Sequence, residues 1–162
     1  MYTFLSRNEL ETKKFAKILA SNLIKGDIII LSGDLGSGKT KFTEGILSYF
    51  GLENEISSPT FTIVNEYNSK TPIYHFDVYR LSDVDEFFAI GGEEYLQNGI
   101  CIIEWGELIE EILPKNYLKI SFSKDDTNDS IRILKFDTYG DRFDSYIATS
   151  LNTFKEDSKW KY

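Results

Sequence analysis

Two hydrophobic periods alternate along this chain. Residues 2–5 read as a short strand, and behind them Phe15, Ile18, Leu19 and Leu23 recur at helical spacing and form one apolar face. Ser6-Arg7-Asn8-Glu9 has capping-box spacing at the start of that helix, which is predicted to end near Lys25-Gly26. Residues 27–32 contain the run Ile28-Ile29-Ile30-Leu31, apolar on both alternating faces, so they read as a fully buried strand. A glycine-rich turn follows, then a helix over 39–50 closed by Gly51. Segments 61–67 and 73–79 read as two strands joined by the turn Asn68-Ser69-Lys70-Thr71-Pro72, a hairpin. Acidic helical or loop structure over 84–97 leads into another buried strand, 99–104. Segments 117–122 and 130–136 read as a second hairpin, and the tail from Gly140 is predicted to form a helix through 145–151. Strands and helices interleave, which predicts an α/β sheet core with antiparallel additions.

Composition narrows the class. The chain has 162 residues, 41% hydrophobic and 27% charged, which fits one globular domain and excludes disordered and low-complexity classes. A chain of this size buries about two-thirds of its unfolded surface, so its core needs no disulfide or structural metal. The single cysteine, Cys101, excludes an internal disulfide and points to a reducing cytoplasm. No apolar run approaches the roughly 20 residues a membrane helix needs, and no signal peptide is expected. Asn128-Asp129-Ser130 fits the glycosylation pattern by chance. The net charge is −8, the reverse of what a protein gripping duplex phosphates carries. Between Asp77 and Glu111 ten acids stand against the single base Arg80, so this segment accounts for the whole deficit. It reads as a solvated acidic face or as a docking surface for a basic partner.

Gly33-Asp34-Leu35-Gly36-Ser37-Gly38-Lys39-Thr40 matches G-x-x-x-x-G-K-[ST] between a buried strand and an amphipathic helix. Glycines at this spacing let the backbone curl until successive N–H groups converge on one concavity, a cradle for phosphate oxygens. Lys39 would reach the β- and γ-phosphates, the Thr40 hydroxyl would bind Mg²⁺, and the helix would place its positive end under the phosphates. The expected fold is therefore a three-layer, P-loop NTPase-like mixed sheet with helices on both faces and antiparallel hairpin additions. Residues 1–139 are expected to form the P-loop domain, with 140–162 as a tail or extension. A Mg²⁺–nucleotide site also needs carboxylates at strand ends, and Glu104 and Asp77 both close apolar strands. His75, the one histidine, shares a face with Asp77 and Tyr79 and reads more as a structural group than as a ligand. In Ser57-Ser58-Pro59-Thr60-Phe61 the proline holds Ser58 out of the helical region, so this extended segment can lie over a nucleotide or simply precede a strand. Trp105 reads as packing at the sheet edge, and Arg80 as pairing with its acidic neighbours.

Four blocks, the P-loop, Ser58-Pro59-Thr60-Phe61, His75-Phe76-Asp77-Val78-Tyr79-Arg80-Leu81 and Ile103-Glu104-Trp105, follow one another in this order. In these the chain resembles the TsaE family, the small bacterial P-loop ATPases of tRNA threonylcarbamoyladenosine biosynthesis, over roughly residues 3–137. The resemblance implies a cytoplasmic protein that binds and hydrolyses ATP with Mg²⁺. It implies as partners the threonylcarbamoyl transferase and its paralogous scaffold (TsaD and TsaB type), with tRNA reached only through that complex and no membrane. Carried over by position, Asp34, Leu35, Gly36, Ser37, Gly38 and Lys39 hold the phosphates, and Thr40 and Glu104 serve the metal. Asp77 orients water or the metal shell, and Thr60 lies in a switch-like segment. Glu9 and Thr12 lie beside the adenine, with Arg132 as a further nucleotide contact. No arginine finger is evident, Arg80 being the nearest candidate, so slow hydrolysis by the isolated chain is expected. Two other readings stay open: a nucleotide-gated binding module with negligible turnover, and a small-molecule P-loop kinase. The kinase is disfavoured because the four arginines, Arg7, Arg80, Arg132 and Arg142, are not clustered as a lid needs.

Overall fold

Every residue from Ile28 to Leu31 is fully buried, and a strand that must cover both faces belongs at the middle of a sheet. The computed structural model, which describes residues 1–56 and 62–159, places it there. In chain order the elements are β1 (Tyr2–Ser6), α1 (Glu9–Ala20), β2 (Ile28–Ser32), α2 (Lys39–Tyr49), β3 (Val64–Tyr67), β4 (Ile73–Asp77), α3 (Val84–Ala89) and α4 (Gly92–Asn98). Then come β5 (Ile100–Glu104), a 3-10 helix (Gly106–Ile112), β6 (Tyr117–Lys124), β7 (Arg132–Tyr139) and α5 (Asp144–Lys159). The seven strands form one sheet in the order β1-β7-β6-β2-β5-β4-β3. Strands β6, β2, β5 and β4 run parallel, while β3, β7 and β1 pair antiparallel at the two sides.

Alternation along the buried strands splits the core in two. Ile29, Leu31, Ile100 and Ile102 meet Phe15 and Leu19 of α1, Phe42 and Ile46 of α2, and Ile147 of α5. Ile28, Ile30, Cys101 and Ile103 meet Phe87 of α3, Leu96 of α4 and Ile109 of the 3-10 helix. Helices thus cover both faces, as the sequence predicts. Burial pushes the Cys101 thiol up to about 12, so it stays protonated and inert at neutral pH.

Several boundaries differ from expectation, each for a local reason. Ser6 does not cap α1, because β1 continues through it to pair with Arg132. Asn8 is the cap: its Oδ1 accepts the Glu11 N–H at 2.9 Å, and Glu11 Oε2 accepts the Arg7 N–H at 2.8 Å. Ser6 instead donates to the Asn8 carbonyl at 2.8 Å and lies 2.6 Å from Thr12 Oγ1. β3 begins only at Val64, because Ile63 takes φ 68°, a left-handed conformation that a β-branched residue rarely adopts and a strand does not admit. β4 stops at Asp77, whose Oδ1 turns the chain by accepting the Tyr79 N–H at 3.0 Å. The second hairpin is longer than expected, paired from Tyr117↔Tyr139 to Lys124↔Arg132.

The tail is more than the short helix predicted. α5 runs to Lys159 and packs on α1 and β1, with Phe143, Ile147 and Phe154 in the core. Arg142 anchors its start. The guanidinium pairs with both Asp27 oxygens through Nε and Nη2, donates to Asn22 O at 3.3 Å and reaches Tyr146 Oη at 3.1 Å. Its bond to Asp27 holds the Arg142 pKa above its ordinary value. Asp27 is only 3% exposed, so it cannot exchange this partner for water. Arg142→Ala should therefore cost about 2–4 kcal/mol by leaving a buried carboxylate with no cation and, from the segment after α1, only the Ile24 N–H at 2.8 Å. Urea unfolding of the variant checks this, and an unchanged midpoint would show that the clamp contributes nothing.

Candidate functional site

The turn after β2 takes its shape from glycine. Gly33, Gly36 and Gly38 have φ of 146°, 79° and 113°, outside the range comfortable for other residues. A Cβ on Gly33 would sit 2.6 Å from the Phe122 carbonyl oxygen and 2.8 Å from Ser37 Oγ, so the loop closes against β6 only because none is there. Gly38 precedes α2 in left-handed geometry and offers no side-chain cap, which leaves the first-turn N–H groups of an 11-residue helix to attract an anion.

A cleft of about 680 Å³ opens over this turn. Its floor is Leu35, Gly36, Gly38, Lys39 and Thr40; its far wall is His75, Asp77, Glu104 and Trp105 at the carboxyl ends of β4 and β5. The start of α1 contributes Asn8, Glu9 and Thr12, and the β6–β7 hairpin end contributes Asp129, Ser130 and Arg132. Lys41 and Ile56 complete it. The structure thus brings together Glu9, Thr12, Leu35, Gly36, Gly38, Lys39, Thr40, Asp77, Glu104 and Arg132 from the expected set. Asp34 and Ser37 do not line the cleft; they close the turn beneath it, the Ser37 N–H donating to Asp34 O at 3.1 Å. Thr60 lies outside the described residues.

Lys39 is 8% exposed, donates from Nζ to the Gly33 carbonyl at 2.5 Å and lies 4.7 Å from the centre of the Trp105 ring. Trp105 therefore faces the lysine rather than merely packing, and its φ of 63° is what aims it. Asp77 and Glu104 stand directly opposite each other in the β4–β5 register, on the sheet face that carries α2. Glu104 Oε2 lies 2.9 Å from His75 Nε2. Arg132 donates from Nη1 to the Asp129 and Ile131 carbonyls, and its Cγ would lie 3.7 Å from a Cβ on Gly38.

Several cleft residues were not anticipated: Asn8, Lys41, Ile56, Asp129 and Ser130. Lys124 does not line the cleft but stands beside its floor, its Nζ lying 3.8 Å from where a Gly36 Cβ would stand. The loop therefore has a cation at its crest besides Lys39, whereas Arg80, the cation suggested by sequence, does not line the cleft. Only the pairing of Lys124 with Arg132 at the end of the hairpin carries this information, and no local pattern does.

The described residues contain no cluster of three or more His, Cys, Asp or Glu able to hold a metal. A divalent cation here would take few protein oxygens and complete its shell from phosphate and water, the habit of Mg²⁺. A hydroxyl, Thr40, and strand-end carboxylates are the oxygen donors that ion accepts, so the residues fit it.

Strand, glycine turn and helix, with strand-end acids across the cleft, define a P-loop α/β protein. The family described as "Threonylcarbamoyl adenosine biosynthesis protein TsaE" matches residues 6–133, and the chain belongs to it. It is 42% identical over 139 residues to the tRNA threonylcarbamoyladenosine biosynthesis protein TsaE of Bacillus subtilis, covering 85% of each chain. To the protein of the same name in Haemophilus influenzae it is 40% identical over 125 residues, 75% of this chain and 79% of that one. The crystal structure of Bacillus subtilis YdiB superposes with a TM-score of 0.73 at 35% identity, covering 94% of this chain and 95% of the other.

Gly33→Ala tests the cradle directly. The added methyl meets the Phe122 backbone and requires a strained φ, so it should cost about 1–3 kcal/mol of stability and most nucleotide affinity. Calorimetric titration with ADP checks the second effect; wild-type affinity would show that the turn does not cradle phosphate.

Proposed function

We propose that the chain is a Mg²⁺-dependent ATPase that supports threonylcarbamoyladenosine formation in tRNA, in the cytoplasm, by acting on the threonylcarbamoyl transferase and its scaffold partner of TsaD and TsaB type. The observation that carries this reading is the cleft itself, with Lys39 and Thr40 at the α2 N-terminus facing Glu104 and Asp77. The names of the relatives supply the pathway.

In this reading the turn amides and Lys39 bind and orient the β- and γ-phosphates, with Asp34 and Ser37 shaping the turn. Glu9, Thr12 and Arg132 contact the rest of the nucleotide. Thr40 and Glu104 hold Mg²⁺, which neutralises charge on the transferred phosphoryl group. Asp77, beside Glu104, accepts a hydrogen bond from the attacking water and so orients it. Thr60 belongs to the segment that senses the γ-phosphate. Phosphoryl transfer needs positioning and charge stabilisation more than covalent help, and this constellation supplies both. A −8 chain has no surplus of cations for a polynucleotide, which supports contact with tRNA through the partners alone.

Phosphate release with and without the two partners is the deciding measurement. Turnover should be slow alone and rise on adding them, and Lys39→Ala should lose at least about tenfold in nucleotide affinity with the loss of a charge-assisted contact. Nucleotide binding with no hydrolysis under either condition would favour the gated binding module; tight tRNA binding by the isolated chain would overturn the indirect role.

The two carboxylates separate by kinetics. Glu104→Gln should raise the Mg²⁺ concentration for half-maximal hydrolysis by about tenfold. Asp77→Asn should lower kcat with nucleotide affinity kept. Identical Mg²⁺ titrations for wild type and Glu104→Gln would reject this division.

A further inference from the structure

His75 is the only histidine of the chain, is 3% exposed, and stands on β4 two residues before Asp77. An ionised glutamate has only acceptors, so the 2.9 Å contact with Glu104 Oε2 requires the proton on His75 Nε2. That leaves Nδ1 buried with no hydrogen-bond partner among the described residues. An orphaned nitrogen in the interior costs stability, and its neighbours on the β5 side are apolar: Ile73 and Phe76 are fully buried and Ile102 is the cross-strand partner there, while Asn65 stands opposite on β3. A leucine would fill such a place without that cost. The histidine is a local expense that its packing does not explain, and such places coincide with function.

The register shows what the Nε2–H bond achieves. Glu104 lies directly opposite Asp77, so two carboxylates share one level of the sheet and repel each other. His75 reaches Glu104 diagonally from one step below. Lys39, on the cleft floor, is engaged with the Gly33 carbonyl and the Trp105 ring instead. Among the described residues His75 is thus the group that fixes the Glu104 carboxylate. We propose that His75 is a positioning residue: it engages one oxygen of Glu104 and leaves the other directed at the cation that accompanies the nucleotide. This rests on reading Glu104 as a cation-binding residue. Partners of this kind orient metal-binding carboxylates, and their loss typically weakens metal affinity by about 10–100-fold.

The test uses the full chain and four proteins: wild type, His75→Leu, His75→Gln and Glu104→Gln. Binding of a non-hydrolysable ATP analogue is measured by calorimetry across Mg²⁺ concentrations and in EDTA, together with the thermal midpoint. His75→Leu should raise the half-saturating Mg²⁺ concentration by about tenfold. Its affinity in EDTA should match wild type, and its thermal midpoint should be equal or higher, since the orphaned nitrogen is gone. His75→Gln, whose amide nitrogen reaches the place of Nε2, should restore most of the Mg²⁺ response. A purely structural histidine would instead lower the midpoint and leave the Mg²⁺ response alone. A wild-type Mg²⁺ requirement in His75→Leu, or no advantage of glutamine over leucine, overturns the proposal while a shift in Glu104→Gln keeps the cation reading intact. An unshifted Glu104→Gln removes that reading and the positioning role with it.

Discussion

The pairing of Leu31 with Glu104 and of Glu104 with Asp77 is the constraint on which the site depends. Side chains of a strand alternate between faces, so a slip of one residue would turn Glu104 into the opposite core and bring Ile103 into the cleft. Burial on both faces forbids that slip, because Ile28 and Ile30 are matched to one helical layer and Ile29 and Leu31 to the other. The apolar core therefore sets the positions of the charged groups. All four parallel strands end on the same edge. β2 delivers the turn, β4 and β5 the acids, and β6 delivers Lys124, so the chemistry gathers where open parallel sheets bind ligands.

The antiparallel additions complete the cleft from the side. β7 and β1 extend the sheet beyond β6, and the last pair, Ser6↔Arg132, brings the start of α1 next to the hairpin end. The buried contact of Ser6 with Thr12 and the Asn8 cap then fix where α1 begins, which places Asn8, Glu9 and Thr12 along the wall. Close approach of α1 to α2 depends on Gly45, where a Cβ would lie 2.4 Å from the Lys13 carbonyl oxygen. Ion pairs of Lys13 and Lys41 with Glu44 decorate this contact, but half-exposed pairs contribute at most about 1 kcal/mol. The packing does the anchoring, and through it the core holds α2 still beneath the turn.

Legibility in the sequence followed the range of the interactions. The phosphate turn needs positive φ at fixed spacing, a local demand that only glycine meets, so it could be read directly. The aliphatic strands β2 and β5 and their terminal glutamate were legible because burial on two faces leaves a continuous apolar run. The α1 cap was misplaced by two residues, since Ser6 is claimed by a strand partner more than a hundred positions away. The C-terminal helix was underestimated because Phe154 reads as an isolated aromatic until Phe4 and Phe15 are beside it. Lys124 became visible only with the hairpin register. Within the acidic segment, Asp83 caps α3, Glu86 accepts the Ser82 N–H, and Glu110 pairs with Lys119. Part of that charge thus also serves helix ends and the 3-10 helix.

The same geometry sets the charge balance of the cleft. Lys39, Lys41 and Arg132 line it, with Lys124 beside Gly36, in a chain of net charge −8, so its attraction for phosphate is local. Asp77, Glu104, Glu9 and Asp129 line the same cleft and offset those cations. A phosphate group bound alone would gain little from such a site, whereas a phosphate accompanied by a divalent cation satisfies both sets of charges at once. Arg132 is turned to the carbonyls of its own hairpin, and Lys124 stands exposed at the crest of the loop. On the proposed reading, the cations needed for ground-state binding are preorganised and those needed for the transition state are not. On that reading, slow hydrolysis by the isolated chain is the expectation, because charge stabilisation in the transition state depends on preorganised cations.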